Sequence, residues 1–118
     1  MIERLSIGVD IVELERFIEI PFFANSRFYK KIFLPSEIKY CLRYRNSVPH
    51  FAGKFALKEA VKKAIDDNLG MLQIETCHHK SKPTVKLVSV LREKYLLKAS
   101  LSHGKNYAIA VVIAEKVC

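Results

Sequence analysis

The chain has 118 residues, half of them hydrophobic, with four glycines and four prolines, a composition that excludes a disordered or collagen-like protein. Lys plus Arg outnumber Asp plus Glu by 20 to 12, giving a formal charge of +8 and an isoelectric point near 9.5. Such a field attracts an anionic partner, whether nucleic acid, a phosphorylated small molecule or an acidic protein, and selects none of them. No run approaches the ~20 apolar residues of a membrane span, and no charged start leads into an apolar stretch with a small-residue cleavage site. One cytoplasmic domain over residues 1–118, without membrane association, is therefore expected. Cys41, Cys77 and Cys118 are odd in number and lack paired spacing, so they read as free thiols.

In chain order, Leu5, Ile7, Val9 and Ile11 alternate as in a half-buried strand, with Gly8, Asp10 and Val12 on its other face. A helix is predicted from Glu13, with Leu14, Phe17 and Ile18 as its apolar stripe and Pro21 as its stop. Pro35 suits a first helical position, and Ser36 to Tyr44 then turns Ile38, Cys41 and Leu42 toward a core. Arg45 to His50 reads as a loop, Phe51 to Ile65 as the central helix, and Asp66 to Gly70 as its closing turn. Gln73 to His79 and Thr84 to Val88 read as paired strands about Lys80 to Pro83. A short helix near Val90 to Leu97 and a hairpin of Ala99 to His103 with Tyr107 to Ala114 end the chain. Helices and antiparallel strands mix, so the expected class is α+β, an antiparallel sheet packed with helices.

Two carboxylates stand out. Asp10 lies in an Ile- and Val-rich strand, where Asp is depleted and an acidic side chain calls for a cation. Glu59 lies mid-helix with Phe55, Ala56, Phe51 and Ala52 upstream on its side and Lys63 one turn on. By itself Glu59 with Lys63 is an ordinary surface pair worth a few tenths of a kcal/mol. Taken with Asp10 it makes a Mg²⁺ site, because that ion takes few protein ligands and completes its shell with water and phosphate. His103, alone at the end of a strand, reads as a surface or hydrogen-bonded histidine. Cys77-His78-His79 is not a zinc site, since adjacent strand residues face opposite ways and no second ligand pair follows.

Three segments in order, Gly8-Val-Asp-Ile-Val-Glu-Leu-Glu-Arg16, Phe51-Ala-Gly-Lys-Phe-Ala-Leu-Lys-Glu-Ala-Val-Lys-Lys-Ala64, and Ser100-Leu-Ser-His103 with Tyr107-Ala-Ile-Ala110, resemble the holo-acyl-carrier-protein synthases. The Arg27-Phe28 and Pro35-Ser-Glu37 stretches extend the match. These are single-domain 4′-phosphopantetheinyl transferases of fatty acid biosynthesis. The resemblance implies transfer of the phosphopantetheine arm of coenzyme A to a serine of apo acyl carrier protein, releasing adenosine 3′,5′-bisphosphate. It implies that Asp10 and Glu59 hold Mg²⁺, and that Lys54, Lys58, Lys63, Lys82, Pro83 and His103 meet coenzyme A. Glu59, Lys63 and His103 carry the catalytic roles, Arg16, Arg27 and Phe28 meet the carrier, and the assembly is a homotrimer with sites between subunits. Three positions depart from the family pattern. Lys54 replaces an arginine, Asp66-Asp-Asn-Leu-Gly70 replaces a glycine-rich loop, and Lys80-Ser-Lys-Pro83 replaces an Asn-Gly-Lys-Pro turn.

A small basic nucleic-acid-binding domain would use the same positive charge, with Arg43, Arg45 and exposed aromatics. It leaves Asp10 unexplained and sets Glu59 among the lysines, so a partner role for nucleic acid is not expected. A metal-dependent phosphohydrolase lacks the further carboxylate or histidine cluster that a two-metal site needs.

Overall fold

The computed structural model describes residues 2–88 and 90–117, so Cys118, read above as a free thiol, lies outside the described residues. Strand β1 (Leu5–Glu13) is followed by the one-turn helix α1 (Glu15–Ile18), then α2 (Ser26–Lys30), α3 (Pro35–Leu42) and the long α4 (Val48–Ala64). Strands β2 (Ile74–His79) and β3 (Lys82–Leu87) form a hairpin, and β4 (Tyr95–His103) and β5 (Tyr107–Lys116) close the chain. The larger sheet is antiparallel in the order β1-β5-β4, and β2-β3 makes a second, two-stranded sheet. The class is α+β, as the mixed periodicities imply.

Helix α4 lies across the larger sheet because both surfaces are made of small residues. Ala52, Ala56, Ala60 and Ala64 recur at four-residue spacing on its buried side, and β5 meets them with Ala108, Ala110, Val112 and Ala114. The closest approach is at Gly8, where a Cβ would stand 2.0 Å from the Ala60 carbonyl oxygen and 2.9 Å from the Ala64 nitrogen. Only hydrogen fits there. On the far side of α4, Phe17, Tyr29, Phe33 and Phe51 pack edge-on and tilted, and Tyr29 Oη donates to the Ile20 carbonyl at 2.6 Å. These rings fix the short helices against the long one.

Four expectations change. In β1 the aliphatic face is the exposed one, with Ile7 at 67%, Val9 at 54% and Ile11 at 58% accessible, while Gly8 and Val12 turn inward to α4. Alternation shows that a strand has two faces but not which of them its own chain covers. The first helix is a single turn, because β1 keeps pairing with β5 as far as Glu13 opposite Tyr107. Helix α4 starts at Val48, since Pro49 in its first turn has no orphan N–H to lose. The segment expected as helix from Val90 to Leu97 is one 3₁₀ turn, Val90–Glu93, and Tyr95 already pairs with Lys116 in β4. Sheet pairing overrides local periodicity there.

Replacing Gly8 by alanine should destabilise the protein by about 1–3 kcal/mol or more, because backbone atoms on both sides must part. A lower urea midpoint with unchanged denaturant slope is the expected reading. Wild-type stability would mean that α4 does not bear on Gly8.

Candidate active site

The flush packing of Gly8 on α4 places the next inward residue of β1, Asp10, at the edge of the helix. Its side chain is 15% accessible, and Lys63 Nζ reaches it at 3.0 Å from Oδ1 while also donating to the Val9 carbonyl at 3.1 Å. Lys63 therefore bridges helix and strand instead of pairing with Glu59, as the simple surface reading would have it. Glu59 is half-buried one turn before Lys63 on the same side of α4, and no hydrogen bond or ion pair engages it among the described residues. Asp10 and Lys63 thus meet across the seam, with Glu59 a helical turn before Lys63 on the same side of α4. Carboxylate oxygens from two elements suit a hard cation such as Mg²⁺, which binds through one or two carboxylates plus phosphate and water. Among the described residues no group of three or more His, Cys, Asp or Glu side chains gathers for a metal. The donor set therefore fits an ion that draws its other ligands from a substrate.

Lys58 stands apart from these residues, contrary to expectation. It is wholly buried, and its ammonium donates to Glu37 Oε1 at 2.6 Å, the Ile32 carbonyl at 2.8 Å and the Met71 carbonyl at 3.0 Å. Three donors meet three acceptors, so none remains for a phosphate. Neighbouring helix positions diverge by about 100°, which sends Lys58 inward where Glu59 faces out. Desolvation lowers the Lys58 pKa and the Glu37 hydrogen bond opposes it. The second Glu37 oxygen accepts from Thr76 N at 2.7 Å and Thr76 Oγ1 at 2.6 Å, and Lys54 Nζ donates to Thr76 O and Oγ1 at 3.1 and 3.0 Å. Glu37, Lys58, Thr76 and Lys54 thus form one buried network tying α3, α4 and β2 together. Glu37 entered the sequence reading only within the Pro35-Ser-Glu37 stretch; at the start of α3 its Oε1 also accepts from Leu34 N at 2.7 Å.

Lys54, though buried, stands at the wall of a cavity that His103 also lines, away from Asp10, Glu59 and Lys63. Lys82 and Pro83 line a third region, a cleft between β3 and β4 with Thr84, Leu97 and Lys98. On the helical side the Arg16 guanidinium lies over the Phe55 ring at 5.1 Å. Arg27 and Phe28 belong to α2, and Phe28 is exposed, as are Phe23 and Ile18. Of the site residues read from the sequence, one chain brings together Asp10 and Lys63, with Glu59 a helical turn away, separately Lys54 and His103, and separately Lys82 and Pro83. Burial pushes the Cys41 thiol up to about 12, which keeps it from acting as a nucleophile.

The family model of the 4′-phosphopantetheinyl transferase superfamily matches residues 6–112. The chain belongs to that superfamily. It is 38% identical to the holo-[acyl-carrier-protein] synthase of Chlamydia trachomatis serovar D, over 92% of this chain and 98% of the relative. It is also 38% identical to that of Thermodesulfovibrio yellowstonii, over 91% and 95%. Its fold superposes on the Helicobacter pylori holo-[acyl-carrier-protein] synthase solved in complex with coenzyme A, with a TM-score of 0.79, 33% identity and coverage of 92% and 99%. The Bacillus anthracis enzyme in complex with CoA (3′,5′-ADP) gives 0.78, 27%, 94% and 96%. This membership makes the chain an enzyme of holo-acyl-carrier-protein synthase type and decides against the nucleic-acid-binding reading.

Within this transferase the turn that replaces Asn-Gly keeps its left-handed geometry without glycine, with φ of 50° at Lys80 and 67° at Ser81. The loop that replaces the glycine-rich one is pinned differently. Asp67 accepts from Tyr95 Oη at 2.6 Å and pairs with Lys94 at 3.3 Å, and Leu69 is buried. The Tyr95 and Lys94 hydrogen bonds lower the Asp67 pKa, so this tether holds above the ordinary carboxylate range and loosens as acid titrates it.

Removing Glu37 alone should cost ~3–5 kcal/mol, because Lys58 is left charged and enclosed. Glu37→Ala should therefore unfold at much lower urea, and adding Lys58→Met should recover most of the loss. Equal stability of the single and double variants would show that the ion pair is not what Glu37 supplies.

Proposed function

We propose that this chain transfers the 4′-phosphopantetheine group of coenzyme A to a serine hydroxyl of an apo acyl carrier protein, releasing adenosine 3′,5′-bisphosphate. The observation that supports the reading is the β1–α4 crossing, where Lys63 reaches Asp10 with Glu59 one helical turn before it, in a chain of this superfamily. Asp10 and Glu59 would hold Mg²⁺, which when bound neutralises pyrophosphate charge and polarises the attacked phosphorus. Lys63, half exposed and on a flexible stem, turns its charge to the pyrophosphate as the bond to the leaving bisphosphate breaks. The serine oxygen bonds to phosphorus and gives its proton to a carboxylate or to water.

His103, Lys54, Lys82 and Pro83 join this site in a homotrimer. On β1 and β5 the exposed face pairs Ile7 with Ile113 and Ile11 with Ile109, and Leu96 of β4 widens it. An aliphatic sheet face of this extent calls for a cover. Asp10 points to the opposite, α4 side of β1, but β1 is an edge strand of its sheet, so a second copy that covers the aliphatic face and wraps that edge can bring His103 and its neighbours to the carboxylates. The carrier, acidic by the charge complementarity it needs, docks on Arg16, Arg27 and Phe28. The whole chain acts as one transferase domain in cytoplasmic fatty acid biosynthesis. Among the described residues no helix is long and apolar enough to cross a membrane.

Purified protein with Mg²⁺, coenzyme A and an apo carrier should add the phosphopantetheine mass to the carrier. Asp10→Ala, Glu59→Ala and Lys63→Met should each lower kcat roughly a hundredfold or more while the fold is kept. Near-normal turnover of either carboxylate variant at limiting Mg²⁺ would sink the shared-metal assignment, and unchanged kcat in Lys63→Met would return that lysine to a surface role.

Arg16→Glu and Arg27→Glu should instead raise KM for the carrier, with coenzyme A binding unaffected and the wild-type rate falling with salt. Equal loss of coenzyme A binding would remove these residues from the dock.

A further inference from the structure

A cavity of about 230 Å³ opens where α3, α4, β2 and β4 meet, and three histidines from three elements line it. His50 comes from the first turn of α4, His78 from β2, and His103 is the last residue of β4. The first two are held by stacked rings, His50 on Tyr44 at 3.6 Å and His78 on Tyr40 at 4.8 Å, while His103 meets His50 edge-on at 6.2 Å. His78 Nδ1 is buried and has no hydrogen-bond partner among the described residues. That is a costly omission for a polar atom unless something binds there.

The charges facing the cavity are of one sign. From α4, Lys54 is 2% accessible and touches only Thr76 and the Tyr40 face, 4.6 Å from its nitrogen, with no carboxylate paired to it among the described residues. From α3, Lys39 and Arg43 flank Tyr40 and Tyr44 in the adjoining 530 Å³ recess. Burial pushes Tyr40 up to about 12, so it stays neutral. From β2 and the following turn come Cys77, His78 and Ser81. No carboxylate lines either cavity among the described residues. Glu37 is reached only through Thr76, and Glu75 acts on Lys54 from a distance. The histidines do not gather as metal ligands among the described residues, so the ligand this wall suits is an anion.

We propose that His50 and His78 are anion-binding residues, and that a phosphate-type dianion enters this pocket together with protons that these two rings take up. The proposal rests on the coenzyme reading only for the natural source of the phosphate, and it deepens that reading by giving the site a proton balance. Desolvation first, then the positive neighbours, lowers the pKa of both rings below the ordinary 6.5, so both are neutral in the free protein at neutral pH. The folded chain then binds fewer protons than the unfolded one as pH falls through that value, so stability drops on acidification. An anion reverses the balance, since it pairs with the imidazolium and with Lys54 and gives His78 Nδ1 a partner.

The test is a histidine-resolved NMR titration of the wild-type protein, with and without inorganic sulfate, a dianion that does not itself titrate near neutrality. Sulfate should raise the pKa of His50 and His78, and its affinity should strengthen by up to about tenfold per pH unit for each proton taken up. His50→Gln and His78→Gln should each flatten that slope. A parallel titration with adenosine 3′,5′-bisphosphate separates the sources: a far tighter fit with the same histidine shifts marks a coenzyme subsite, and equal affinity marks a general phosphate pocket. Unmoved histidines at saturating sulfate and bisphosphate, or an affinity independent of pH, overturns the proposal. Absent transferase activity with the shifts intact would instead overturn the coenzyme reading alone.

Discussion

The structure depends on the contact between the backbone of β1 and the backbone of α4. Gly8 leaves no room for a Cβ above the Ala60 carbonyl, and the alanines of α4 and β5 let helix and sheet approach along the whole seam. A strand so close to a helix cannot bury a long side chain between them. Polar residues on its inward face emerge at the seam's edge, within reach of the helix. Asp10 is the first such residue after Gly8, and it meets Lys63 because that lysine is nearly one helical turn beyond Ala60. The Asp10–Lys63 pair thus follows from packing of small residues and is a consequence of where two backbones touch.

The same helix sorts its lysines into two electrostatic classes. Lys54 and Lys58, four residues apart, point into the protein, and Lys63 points to its surface. A buried ammonium is tolerable only with its donors satisfied, and Lys58 achieves this with a carboxylate and two carbonyls drawn from three segments. The gain over a well-packed apolar replacement is small, but such a network accepts one arrangement of α3, α4 and β2 and penalises slipped ones. Lys54 has a weaker settlement, two bonds to one threonine and the face of a tyrosine, which leaves its charge available to the adjoining cavity.

These distinctions mark what a linear reading could reach. Most element types and the α+β class were legible, because strand alternation and helix spacing are local signals. The turn at Lys80 and Ser81 was legible as a hairpin although neither residue favours its left-handed backbone. Burial of Lys58 was not, since it depends on Ile32, Glu37 and Met71 arriving from distant stretches. Nor was the exposure of Ile7, Val9 and Ile11, because a pattern of apolar residues does not say whether its cover belongs to the same chain. His50 and His78 showed no shared motif, being 28 positions apart and joined only by the fold, and His78 stood out only in a Cys77-His78-His79 run without metal spacing.

Exposure of the β1 aliphatic face and isolation of the second set of basic residues are two sides of one constraint. A chain of 118 residues makes one layer of helix against one face of its sheet, and little remains to cover the other. Leaving that face open puts Asp10 on an edge strand whose outer side is aliphatic and whose inner side carries the carboxylate. The arrangement divides the work. The flush helix–strand seam fixes Asp10 to within the tolerance of packed backbones, while Lys54 and His103 line a separate cavity and Lys82 and Pro83 a separate cleft. Rigidity is thus greatest where Asp10 meets Lys63, and the other basic groups lie on parts of the fold that this seam does not hold.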